Sequence, residues 1–100
     1  MDAIALSRNG ISIRLPDERW KHIIEDHPEL VDRKTEVFEV VSNPECIFEG
    51  KDGELLAIRE MQTGKWLVVA YRELTEDGFI ITAFFTRRRQ YLSKRRQLWP

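Results

Sequence analysis

Four residues of this 100-residue chain carry side chains suited to acid–base and phosphate chemistry in stretches that read as ordered structure: His27, Arg59, Tyr71 and Thr82. Imidazole is the side chain whose charge changes nearest neutral pH, which is what a general acid or base needs. A guanidinium meets phosphate oxygens with a planar, two-pronged fork. Tyrosine and threonine add hydroxyls that donate and accept. These parts suffice for cleaving RNA without a metal: a base takes the proton of the ribose 2′-hydroxyl, an acid protonates the leaving 5′-oxygen, and cations hold the charged phosphorane. The same residues also have a plainer reading. His27 suits a core edge where it caps a carbonyl, Tyr71 and Thr82 are ordinary strand formers, and Arg59, like Arg72, can snorkel at a sheet margin.

A second feature bears on the same chemistry. Residues 86–100 hold Arg87, Arg88, Arg89, Lys94, Arg95 and Arg96 and no acid, a charge of +6 in a chain whose net charge is −1, so residues 1–85 carry −7. Such end-to-end asymmetry points to a nucleic-acid or acidic partner. Thr86, Arg87, Arg88, Arg89, Lys94 and Arg95 are the candidate nucleic-acid contacts, with His22 as a further one. A helix that turns its arginines to solvent is the simpler account of the run, and His22 reads equally as a surface residue.

Composition narrows the classes. A hydrophobic content of 42% with 33% charged residues fits a folded, water-soluble chain. No apolar run approaches the roughly 18 residues of a membrane span, and the first residues lack the pattern of a signal peptide. The single cysteine, Cys46, leaves no internal disulfide and fits a reducing compartment. The expected location is the cytoplasm. Acids are spread along solvated faces, with no Cys/His spacing of a zinc site and no glycine-rich phosphate loop, so neither metal nor cofactor is expected.

The elements that must position these residues follow from the pattern. Ile11–Leu15 alternates and reads as a strand. Pro16-Asp17-Glu18 opens a helix in which Trp20, Ile23, Ile24 and His27 share one face, and His27-Pro28 ends it. A second helix runs from an N-cap near Asp32 to Ser42, with Val37, Val40 and Val41 as its stripe and Asn43-Pro44 as its stop. Strands follow at 45–49, 54–61, 66–71 and 79–85, separated by Gly50–Gly53, Thr63-Gly64 and Glu76-Asp77-Gly78. The expected fold is α+β in two layers, with N-terminal helices packed on a four-stranded antiparallel meander and a basic helix or tail at the C-terminus. One domain spans 1–100, with its core at about 11–86 and the basic segment at 87–100. In the expected register Arg59 faces Val68, and Thr82 faces Glu73 on the same side as Tyr71.

Several stretches resemble a known group: Arg19–Leu30, Val40–Ile47, Trp66–Arg72 and Phe79–Thr86. They are similar to the small phage- and toxin-associated nuclease domains grouped with barnase, EndoU, colicin and RelE, the BECR fold, and in element order to BrnT-type toxins. The resemblance runs from about Ile11 to Trp99. It implies an active site on the open face of the sheet, metal-independent ribonuclease activity, and a toxin that pairs with an antitoxin protein. Carried over by position, it implies His27 or His22 as the helix residue, Arg59 as the basic residue of a middle strand and Thr82 as the late hydroxyl, with Tyr71, Arg87 and Arg88 completing the site. The acidity of residues 1–85 and the pair Phe84-Phe85 depart from that pattern.

Three functions therefore compete: a toxin-type endoribonuclease, a non-catalytic nucleic-acid-binding module, and a protein-interaction domain. In the last, the basic tail docks on a second copy of the chain or on an acidic antitoxin.

Overall fold

A computed structural model describes residues 3–100. Its order is β1 (Ala3–Leu6), β2 (Ser12–Leu15), α1 (Asp17–Asp26), a 3-10 turn (Pro28–Leu30), α2 (Lys34–Ser42), β3 (Cys46–Glu49), β4 (Leu55–Gln62), β5 (Lys65–Glu73), β6 (Asp77–Thr86), α3 (Arg89–Ser93) and β7 (Gln97–Trp99). Helix α1 begins and ends where its sequence dictates. Pro16 stands at its N-cap, Asp17 and Glu18 occupy the first turn, and His27 leaves helical geometry at φ −134°, ψ 72° directly before Pro28. Leu30, wholly buried, anchors the turn that follows. Helix α2 starts at Lys34 with Arg33 as its N-cap and no capping side-chain bond, not at Asp32. Its stripe, Val37, Val40 and Val41, is fully buried, each side chain contributing about 1.5–3 kcal/mol on removal from water.

The expected meander exists as β3-β4-β5-β6, but it is the middle of a larger sheet. The sheet has seven strands in the order β1-β2-β6-β5-β4-β3-β7. Strand β2 lies parallel to β6, pairing Ser12 with Asp77 and Arg14 with Phe79. This makes the sheet mixed, and a four-stranded antiparallel meander carrying only N-terminal helices is therefore corrected. The added edge strands are short. β1 is uniformly apolar, without the alternation that marks a strand, and β7 is three residues behind a run of arginines.

Strand pleating divides the core in two. On one face Ile13, Leu15, Ile47, Ala57, Leu67, Val69, Tyr71, Ile80 and Ala83 pack with Ile23 of α1, Leu30, and the valines of α2. On the other face Phe48, Leu56, Ile58, Val68 and Ala70 form a smaller cluster. Cys46, Trp66, Ile81, Phe84 and Leu92 of α3 pack around it, half-buried. The first face is covered by α1 and α2; α3 lies over part of the second. The sheet also curls around α2, so that Arg8, in the loop after β1, lies 4.7 Å from the ring centre of Trp99 on β7. Ser42 at the end of α2 donates to the Leu6 carbonyl at 2.7 Å.

Candidate functional site

The six strand pairings fix which candidates share a face. Trp66 pairs with Thr86, Val68 with Phe84 and Ala70 with Thr82. These residues belong to the less covered face. Tyr71 pairs with Leu55 and Ile80 and belongs to the helix-covered one. The switch comes from a bulge at Ile81, between the Ala70–Thr82 and Tyr71–Ile80 pairs.

His27 reaches the less covered face from the side. It closes α1 as C-cap, its backbone N–H donating to the Ile23 carbonyl at 2.8 Å. Its ring lies 6.0 Å from that of Phe84, tilted by 34°. Nδ1 is 3.9 Å from a Glu29 carboxylate oxygen, and the side chain is 32% exposed, enough for a substrate to reach it. Thr82 and Thr86, both half-buried, stand on the same strand as Phe84. The Thr86 hydroxyl accepts the Arg88 backbone N–H at 3.0 Å, closing the turn that leads out of β6. Arg87 and Arg88 follow, exposed. Arg89 turns back over the face, 5.8 Å from the Phe48 ring centre, with Nη2 3.5 Å from Cys46 Sγ.

Tyr71 is elsewhere. It is fully buried among the helix-facing residues, and its hydroxyl has no hydrogen-bond partner among the described residues. Burial, and secondly the charge of Glu73, push its pKa well above the ordinary tyrosine value, so the phenol stays protonated. Arg59 is also elsewhere. It pairs with Leu67, and Nη1 donates to the Asn43 carbonyl at 2.8 Å, where it satisfies the chain end of α2. The expectation that His27, Arg59, Tyr71 and Thr82 converge is therefore corrected: His27 and Thr82 share a face, and Arg59 and Tyr71 belong to the other. His22 points outward from α1, with Nδ1 3.9 Å from Glu25 Oε2 and Asp17, Glu18 and Lys21 nearby. That acidic setting disfavours a phosphate.

The basic segment is not a uniformly solvated tail. α3 takes up Arg89–Ser93, Lys94 lies 5.7 Å from the Tyr91 ring centre, and the Arg96 carbonyl accepts the Glu49 N–H at 2.8 Å. Arg95 is exposed. Two further cations were not singled out by the sequence. Arg33 and Lys65 lie 5.7 and 4.5 Å from the ring centre of Phe85, on the helix-covered side. The end of β6 is thus flanked by cations on both faces, a feature that depends on which way Phe84 and Phe85 point. Among the described residues no group of three or more His, Cys, Asp and Glu is arranged to hold a metal ion. None of the helices among them is long and apolar enough to cross a membrane. No protein-family model, curated protein or solved structure matches the chain.

Proposed function

We propose that the chain is an endoribonuclease that works without a metal, with His27 as its proton-transfer group. The observation that carries this reading is the position of His27 against Phe84, at the border of a face that bears Thr82 and Thr86 and runs into Arg87 and Arg88. With Tyr71 and Arg59 on the other face, the imidazole serves both proton transfers. It takes the 2′-hydroxyl proton as the 2′-oxygen attacks phosphorus. The bond to the 5′-oxygen then breaks, and the proton returns to that oxygen. The products are a 2′,3′-cyclic phosphate and a 5′-hydroxyl. Arg87 and Arg88 supply positive charge for the phosphorane. The toxin role, an antitoxin partner and a cytoplasmic site of action are parts of this proposal that rest on the resemblance.

A non-catalytic RNA-binding module is the second reading. It is favoured by the same relocation of Tyr71 and Arg59, which leaves a single acid–base group on the face. Incubating the protein with RNA in EDTA, beside His27→Ala, separates the two. Fragments ending in cyclic phosphate, lost in the variant, support the nuclease. Retention of intact RNA with salt-sensitive binding supports the module, and neither cleavage nor binding ends both.

A further inference from the structure

Resting on the RNA reading above, we infer that the substrate is an unpaired strand, two of whose bases stack on Trp66 and Phe84. The two rings stand on one face of adjacent strands. Trp66 pairs with Thr86 and Val68 with Phe84, so the aromatic residues are diagonal neighbours, a relation that puts side chains roughly 7–8 Å apart. Both are half-buried: they pack against the cluster of Phe48, Leu56, Ile58, Val68 and Ala70 and keep part of their surface open. Rings on the helix-covered face are also only partly buried, Phe85 and Trp99 among them, but Trp66 and Phe84 lie side by side on the face that the basic segment borders. Stacking is the use for which every base has a matching surface. A duplex keeps its bases stacked on one another and presents 2′-hydroxyls and phosphates instead, so this face selects unpaired RNA.

Charge identifies the occupant. The six cations of residues 86–100 have no acid among them, and this segment leaves β6 two residues after Phe84 and bends back over the same face through Arg89. A second copy docking through this same face would bring its own like-charged segment to that border. A polyanion with flat, unsatisfied rings meets both features together. His27, 6.0 Å from Phe84, then stands beside the nucleotide that stacks on that ring.

The test uses a short 2′-O-methyl single strand, which has no free 2′-hydroxyl and stays intact, and the full chain. Trp66→Leu and Phe84→Leu keep apolar packing and remove the flat ring; Trp66→Phe restores one. The expected result is that each leucine variant weakens binding by roughly five- to hundred-fold, without changing its salt dependence. Trp66→Phe recovers most of the loss, and the complementary duplex binds more weakly and is indifferent to all three changes. Leucine variants that bind the single strand like the parent, while Arg87→Ala and Arg88→Ala weaken it, would overturn the stacking site and leave the RNA reading standing. Absence of binding by the parent protein would overturn both. A dimer that sediments unchanged with and without RNA, and is broken by Trp66→Leu, would assign the face to a second copy instead.

Discussion

The rings of His27 and Phe84 lie 6.0 Å apart at a tilt of 34°, and this contact holds the end of α1 against the free flank of β6. β2 pairs with β6 only as far as Phe79, so the later part of that strand has a side open to the imidazole. Removing it while preserving the fold isolates its chemistry. His27→Ala is expected to lower cleavage by about 10²–10⁴-fold, with an unchanged far-ultraviolet spectrum and unchanged binding of the 2′-O-methyl strand. Full activity in this variant would remove His27 from the mechanism.

Tyr71 predicts an alkaline instability. Its phenol is protonated in the folded chain well beyond the ordinary pKa of about 10. The unfolded chain binds fewer protons above that pH, so stability is fully present below about pH 10 and falls as pH rises, by about 1.4 kcal/mol per unit. Urea midpoints between pH 8 and pH 12 measure this. Tyr71→Phe is expected to flatten that decline and to be neutral or stabilising near pH 7, since it removes a buried hydroxyl without a partner. Cleavage should be unaffected. Loss of cleavage in Tyr71→Phe would return the tyrosine to the site.

Arg87 and Arg88 are the exposed cations nearest the end of β6. If each meets a phosphate, replacing either by alanine lowers the slope of log affinity against log salt by about 0.7, the value for a single strand. Titrations at several salt concentrations read this directly. A variant that loses affinity with an unchanged slope would assign that arginine to packing, such as that of Arg88 over Tyr91, 5.8 Å away.

Gly78 pairs with Glu73 of β5 on one side and with Ile13 of β2 on the other. A Cβ placed on it would strike the Arg72 carbonyl and the Ile13 side chain. The first is backbone, so the hairpin itself would have to open. Gly78→Ala is expected to destabilise by about 1–3 kcal/mol and to lower the thermal midpoint, with Gly64→Ala as a comparison at a turn where φ is +75° and nothing crowds the site. Equal midpoints for Gly78→Ala and the parent would contradict this.

The sequence made some of this legible. α1 could be read from Pro16, its apolar stripe and His27-Pro28, because caps and periodicity act locally. The meander could be read from its turns. Register could not, and the site depends on register. The connection between β5 and β6 closes at residues 74–77, with the Leu74 N–H donating to the Asp77 carbonyl at 2.6 Å, so Asp77-Gly78 is strand and not corner. Together with the bulge at Ile81, this sets Thr82 opposite Ala70 and not Glu73. A second bulge, at Met61, sets Arg59 opposite Leu67 and not Val68. Bulges follow from packing of the whole sheet, and an odd shift carries a side chain to the other face.

The parallel contact of β2 with β6 orders events during synthesis. Arg14 and Asp77 meet across 63 residues of chain, whereas the hairpins β3–β4, β4–β5 and β5–β6 close over short loops. β2 has no sheet neighbour but β1 until β6 has been made, so the β1–β2 hairpin waits, half-assembled, for a strand that follows more than sixty residues later. Pulsed hydrogen exchange during refolding should therefore protect β4 and β5 amides before those of β2; simultaneous protection would argue against it. On a ribosome, His27 can settle beside Phe84 only once β6 has emerged, so this face is assembled after both helices and the strands between them have been made.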